Sequence, residues 1–189
     1  MGYAKNWLTK EEWKKLIQQD MKWRDELLQK TTYRGALRIH ETLSLKYPFN
    51  YEIEENNGYV ILTTQKTDEE KPEKVPIGSD LVKETKRYMK AMDKETTYVF
   101  SSRQGNQMTR QRAYQIINER AKDVGIDKKL GTHTLRRSRA KHLLDEEVDL
   151  SQVSALLRHE NLKDTMEYLK IAKKELAELT KQIDKKYGL

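Results

Sequence analysis

The spacing of apolar residues changes character twice along this chain, and each change marks a boundary. The first stretch is helical in period. Thr9-Lys10-Glu11-Glu12 has the form of a capping box, with Thr9 as N-cap and a glutamate at the third helical position, and it opens a stripe of Trp13, Leu16 and Ile17. A second helix is predicted over roughly residues 23–32, carrying Leu27 and Leu28. Residues 35–45 continue the helical period, with Leu37, Glu41 and Leu45 on one face, until Pro48 ends it.

Between Tyr51 and Ile77 the period becomes strand-like. Tyr51 to Glu54 alternates, Asn56-Asn57-Gly58 is a hairpin signal, and Tyr59 to Thr64 is rich in β-formers. A polar turn over 66–72 leads to Lys74-Val75-Pro76-Ile77, which predicts three short antiparallel strands with Lys66 where the second enters its turn. The helical period then returns. Ser79 or Asp80 caps a helix to about Met92, Thr97 to Phe100 is briefly extended, and Thr109 caps a helix to Val124 that stops at Gly125. Helices follow over 133–144, from Asp149 to Leu157, and from Asn161 through Tyr168. Over 170–186, Ala172, Leu176, Leu179 and Ile183 recur at intervals of four, three and four, an amphipathic helix. The expected fold class is α+β, mainly α-helical, with a small three-stranded antiparallel sheet at one edge.

Composition narrows the chemistry. With 35% charged residues and a mean hydropathy of −0.96, the 189-residue chain has apolar runs of only a few residues. A membrane span needs about 20, and Met1-Gly2-Tyr3-Ala4-Lys5 lacks the hydrophobic stretch of a secretion signal, so a cytoplasmic protein is expected. The absence of cysteine excludes disulfides, thiolate nucleophiles and cysteine-held zinc. Four histidines without a His-Glu-x-x-His pattern give no reason to expect a metal site, and no other cofactor is implied. The net charge of +7 favours a polyanionic partner, and residues 128–142 hold six Lys or Arg and no acid. Within that stretch Arg137, Arg139 and Lys141 are expected to contact DNA phosphates; His40 and His142 are expected to be structural.

Two short segments, His133-Thr134-Leu135-Arg136 and Leu157-Arg158-His159 with Tyr168 nine residues on, each offer groups suited to one phosphate. Cleaving a phosphodiester with a side chain needs an in-line nucleophile, cations for the non-bridging oxygens, and a proton for the leaving oxygen. Arginine's planar fork suits the second task, histidine donates or shuttles protons near neutral pH, and a tyrosine stabilised by cations can attack.

Five features in order resemble the catalytic domain of the tyrosine recombinase (phage integrase) family. Gly35-Ala36-Leu37-Arg38-Ile39-His40-Glu41 resembles its first arginine box, Gln65-Lys66-Thr67 its hairpin lysine, and His133-Thr134-Leu135-Arg136 its His-x-x-Arg box. Leu156-Leu157-Arg158-His159 resembles its Leu-Gly-His box, with Arg158 in place of the usual glycine, and Tyr168 stands at the family's spacing from that histidine. The resemblance covers roughly residues 7–169. It implies that Arg38 and Arg136 clamp the phosphate, Glu41 buttresses the site, and Lys66 is the acid for the departing 5′ oxygen. His133 then manages the tyrosine's proton, His159 stabilises the transition state, and Tyr168 is the nucleophile. Arg158 is expected to contact the DNA backbone or to reshape the turn that presents His159.

The resemblance further implies a site-specific recombinase or integrase working through a 3′-phosphotyrosyl link without metal or ATP. It assembles as a homotetramer on two DNA duplexes and is a monomer or weak oligomer without DNA. Residues 1–169 are expected to form the catalytic domain, and 170–189 a helix that docks on a neighbouring subunit. The family's N-terminal DNA-binding domain is expected to be missing, which predicts weak, strongly salt-dependent binding. Relaxation in the manner of type IB topoisomerases, or DNA binding without catalysis, are the rival readings.

Overall fold

Thr9 opens the first helix as its capping box predicts: its Oγ1 accepts the Glu12 N–H at 3.1 Å, and Glu12 Oε2 accepts the Thr9 N–H at 2.7 Å. The structure, a computed structural model, describes residues 7–18, 21–63, 72–92 and 95–168. Lys66 and the helix expected over 170–186 lie outside them.

In chain order the elements are α1 (Lys10–Gln18), α2 (Trp23–Arg34), α3 (Ile39–Ser44), β1 (Tyr51–Glu54), β2 (Asn57–Thr63), β3 (Pro72–Pro76) and α4 (Ser79–Ala91). They are followed by α5 (Arg110–Asp123), α6 (Thr134–Asp145), α7 (Leu150–Leu157) and α8 (Leu162–Tyr168). The sheet is antiparallel with order β1-β2-β3. Along β2 every second residue, Gly58, Val60 and Leu62, is buried, and that face lies against α4. A Cβ on Gly58 would sit 2.4 Å from the carbonyl oxygen of Gly78, so only glycine lets the strand approach the start of α4. The hairpin itself turns one residue earlier than expected: Glu54 pairs with Asn57, which leaves Glu55 and Asn56 at the corner.

Helix α2 sits at the centre of the molecule, packed against α1, α3, α4 and α6. The Trp13 ring of α1 stacks on Tyr33 with centroids 3.9 Å apart. The Tyr33 hydroxyl then meets His142 Nδ1 at 2.7 Å, and His142 Nε2 reaches the Leu8 carbonyl at 2.8 Å. A carbonyl can only accept, so Nε2 carries the ring proton and Tyr33 donates to Nδ1. His142 is therefore a structural bridge between α6, α2 and the segment before α1.

A second, smaller apolar cluster of Ala36, Ala140, Val153 and Leu157 joins α6 and α7 to the end of α2. Burying a Leu or Val side chain stabilises by about 1.5–3 kcal/mol, enough to hold these three helix segments together.

Two boundaries differ from the sequence expectation. Residues 35–38 are not helical: α2 runs on to Arg34, the chain turns through a left-handed Ala36 (φ 45°), and Arg38 becomes the N-cap of α3. At α4 the N-cap is Gly78 rather than Ser79 or Asp80, because the Asp80 carboxylate is engaged by Arg34 at 2.7 Å. Thr109 and Asp149 cap α5 and α7 as expected, and Asn161 Oδ1 accepts the Asp164 N–H at the start of α8.

Candidate active site

Helices α2 and α7 end with the same backbone device. At each end a residue in left-handed conformation turns the chain, and the next N–H reaches back five residues. Leu37 N–H meets the Thr32 carbonyl at 3.0 Å after Ala36 (φ 45°), and His159 N–H meets the Ser154 carbonyl at 3.2 Å after Arg158 (φ 54°, ψ 47°). A left-handed residue with a side chain costs roughly 1–2 kcal/mol, which is why glycine is favoured there. The glycine expected at residue 158 in the Leu-Gly-His box thus has a backbone reason, and Arg158 occupies the position against that cost.

Arg136 draws these two ends together. Its side chain is 1% exposed, with Nη1 donating to the Ala36 carbonyl at 2.6 Å and Nη2 donating to the Leu157 carbonyl. The C-terminal ends of two helices carry partial negative charge, so they are a favourable seat for a buried guanidinium. Two residues beyond Ala36 stands Arg38, and two beyond Leu157 stands His159. Arg136 therefore fixes the spacing of the two turns that present them.

Arg38 is held by Glu41. Glu41 Oε1 accepts from Arg38 Nη1 at 2.9 Å, and Oε2 accepts the Arg38 backbone N–H at 2.6 Å. Arg158 Nη2 also donates to Oε2, at 2.6 Å. Burial alone would raise the Glu41 carboxyl, but the Arg158 charge and the bonds from Arg38 outweigh it and hold the group below its ordinary value. Glu41 is accordingly ionised at neutral pH.

His159 is held by hydroxyls rather than by charge. Its Nδ1 lies 2.9 Å from Thr165 Oγ1 on α8, which lies 2.9 Å from Ser154 Oγ on α7. Hydroxyl protons can run along this row either way. With Thr165 donating to Ser154, Nδ1 carries the ring proton; with Thr165 donating to Nδ1, the proton is on Nε2. Tyr168 closes α8 three residues after Thr165, the interval that sets two positions on one side of a helix. Its side chain is not among those described.

His133 caps α6. Burial first, then the charges of Arg136, Arg137 and Arg38, lower its pKa from the ordinary imidazole value. For His159 the causes are burial, then Arg136 and Arg38. Both arginines thus act on both histidines, which brings four residues from three separate segments into one field. Both imidazoles are mainly neutral at pH 7.

The residues expected at the DNA surface also make contacts within the chain. Arg139 lies over the Tyr33 ring at 5.5 Å, Lys141 pairs with Asp145 at 2.9 Å, and Arg158 faces inward with an 8% exposed side chain. Arg137, half-buried on α6, adds its charge to the field at His133. Cations also stand along a run of clefts elsewhere on the surface. A cleft of about 1120 Å³, lined by Arg38, Lys46 and Arg158 and equally by Glu41, Glu73 and Glu160, shares His40 and Gln107 with a second at Thr109 and Arg110. That one in turn shares Met108 and Thr109 with a third, lined by Lys22, Arg24, Arg103 and Arg112. Residues 96–118, which bring Arg103, Arg110 and Arg112 to this surface, hold three arginines and no acid. Among the described residues no group of His, Asp and Glu is placed to hold a metal ion, and no helix is long and apolar enough to cross a membrane.

A model of the phage integrase family matches residues 6–175 of the chain. Tyrosine recombinase XerD of Listeria monocytogenes is 31% identical over 166 residues, covering 84% of this chain and 54% of its own length. Tyrosine recombinase XerA of Pyrococcus horikoshii is 29% identical over 175 residues, covering 90% of this chain and 59% of its own. The chain thus spans somewhat over half the length of these relatives. Among solved structures, XerA recombinase superposes with a TM-score of 0.76 at 23% identity, over 93% of this chain and 64% of that one. XerH site-specific recombinase bound to its difH substrate before cleavage gives 0.75 at 22%, over 93% and 53%. The fold is the one these chains share: a mainly helical α+β domain with a three-stranded sheet at its edge.

Proposed function

The chain belongs to the phage integrase family, and from that premise we propose that it is a site-specific recombinase that cuts and rejoins double-stranded DNA. The phenol oxygen of Tyr168 attacks a scissile phosphorus; the bond to the 5′ oxygen breaks, leaving a 3′-phosphotyrosyl link and a free 5′ hydroxyl. Arg38, on the cleft wall, meets the pentavalent phosphate directly and His159 donates to it from Nε2; Arg136, buried on the Ala36 and Leu157 carbonyls rather than clamping the phosphate, adds its field from behind. Charged donors aimed at such a centre are each worth about 10²–10³ in rate. Lys66 protonates the departing oxygen, and neutral His133 takes the proton from the tyrosine. Because the covalent link preserves the phosphodiester's energy, a second 5′ hydroxyl reverses the step with no nucleotide consumed.

The observation that supports this reading is geometric: Arg136 ties the turn before Arg38 to the turn before His159 through the Ala36 and Leu157 carbonyls, and His133 stands three residues ahead of it at the start of α6. The run of clefts from Arg38 to Arg103, whose far end is lined by Lys22, Arg24, Arg103 and Arg112 with no acid, supports a duplex lying along that side, with binding that weakens steeply as salt rises. Assembly as a tetramer on two duplexes, with residues 170–189 docking on a neighbour, completes the proposal.

The test uses a pool of end-labelled duplexes, each nicked just 3′ of a randomised stretch so that the small 5′-hydroxyl fragment diffuses away after cleavage. The wild-type chain is expected to yield a denaturant-resistant protein–DNA adduct, and Tyr168→Phe none. An adduct from Tyr168→Phe overturns the nucleophile; no adduct from the wild type overturns the recombinase.

A further inference from the structure

Arg158 stands where backbone geometry favours glycine, yet its side chain is more deeply buried than that of Arg38, 8% exposed against 36%. Its side chain therefore has work to do that the turn itself does not require. Three bonds describe it. Nη2 donates to Glu41 Oε2 at 2.6 Å, Nη1 donates to the Leu156 carbonyl at 3.1 Å, and Nε lies 3.5 Å from Glu73 Oε2. Glu73 belongs to β3 and Glu41 to α3, so one guanidinium joins the end of α7 to both.

Counting charge shows what this junction does. Glu41 and Glu73 bring two negative charges to the wall of the cleft that Arg38 also lines, and Arg38 and Arg158 bring two positive ones. The four sum to zero, as do Lys46 and Glu160 on the same wall. Without Arg158, the carboxylates on this wall would outnumber its cations, and the patch would carry a net negative charge where a phosphate, itself negative, has to bind. Glu41 could then hold Arg38 in place only by cancelling its charge. With Arg158 on Oε2, the same carboxylate orients Arg38 through Oε1 while most of its own field is answered by a second cation.

We propose that Arg158 is a positioning residue for the phosphate clamp: it neutralises the Glu41–Glu73 pair so that the charge of Arg38 is available to the scissile phosphate. The inference rests on the recombinase reading above. Arg158 touches no reacting atom. It acts through Glu41 on Arg38, and through Glu73 it fastens β3 to the same point.

The measurement is the rate of adduct formation on the nicked duplex pool, using the full chain. Arg158→Gly removes the charge and relaxes the left-handed backbone; Arg158→Asn removes the charge with a residue that also tolerates that backbone, and serves should the glycine variant fold poorly. Either is expected to form adduct about tenfold more slowly, in line with a lost charge near the reacting phosphate. Adding Glu73→Gln, which cancels one of the orphaned carboxylates, is expected to recover several-fold of that loss. A merely structural arginine would gain nothing from that second change. Adduct formation by both variants at the wild-type rate overturns the inference, as does a loss that Glu73→Gln leaves untouched. If the wild type itself forms no adduct, it is the recombinase reading that fails, and Arg158 has no clamp to position.

Discussion

The ends of α2 and α7 share a backbone and differ in what their left-handed residue does. Ala36 is fully buried, and its methyl group packs into the small cluster with Ala140, Val153 and Leu157. Arg158 sends its side chain across the cleft wall to two carboxylates. At the first end the backbone cost is met by apolar contact, and at the second by ionic contact with the neighbouring box. The difference extends to the residues presented. Arg38, after Ala36, is gripped by a charged carboxylate, whereas His159, after Arg158, is gripped by a neutral row of hydroxyls. A guanidinium of fixed charge is thus set beside an imidazole that can exchange its proton along a row of hydroxyls.

The largest expected effect comes from removing what the two ends have in common. Arg136→Ala leaves the Ala36 and Leu157 carbonyls buried without their donor and opens a cavity; it is expected to lower stability by roughly 3 kcal/mol in urea unfolding and to abolish detectable adduct. Arg136→Lys keeps the charge but can reach only one of the two carbonyls at a time, so it should fall between. A smaller loss follows from disturbing one end only. Thr165→Val preserves shape and removes the hydroxyl between His159 and Ser154, which should cost about 1–2 kcal/mol and slow adduct formation about tenfold, with Thr165→Ser close to wild type. Smallest is Ala36→Gly. Relief of the left-handed backbone, roughly 1 kcal/mol, is offset by the lost methyl and a freer unfolded chain, so unfolding should shift by less than about 1 kcal/mol. A shift of several kcal/mol there would mean that packing, not backbone, governs the α2 end.

Local signals were readable from the sequence and distant ones were not. Thr9, Thr109, Asp149 and Asn161 announce their helices because a capping residue bonds within three positions of itself. The strands showed in their alternation. The break at Ala36 did not show, since alanine is the strongest helix former and gives no sign of a positive φ. Gly35, the residue that invites that reading, keeps an ordinary φ of −80°. At Arg158 the sequence marked the departure from glycine, but its partners are 117 and 85 residues away, and only the fold brings them near. For Arg139 and Lys141, expected to face DNA, nothing in the run 128–142 reveals the contacts they make with Tyr33 on α2 and Asp145 on the next turn.

The mooring of the chain ahead of α1 carries a mechanical consequence. Leu8 gives its N–H to Ser138 Oγ at 2.8 Å and its carbonyl to His142, both on α6, while Lys128 holds the Trp7 carbonyl at 2.8 Å. The helix that seats Arg136 is therefore also the anchor post for this leading segment. A pull applied ahead of Trp7 loads α6 directly, without passing through the sheet, and the guanidinium that spans two helix ends is the first part of the site to feel it.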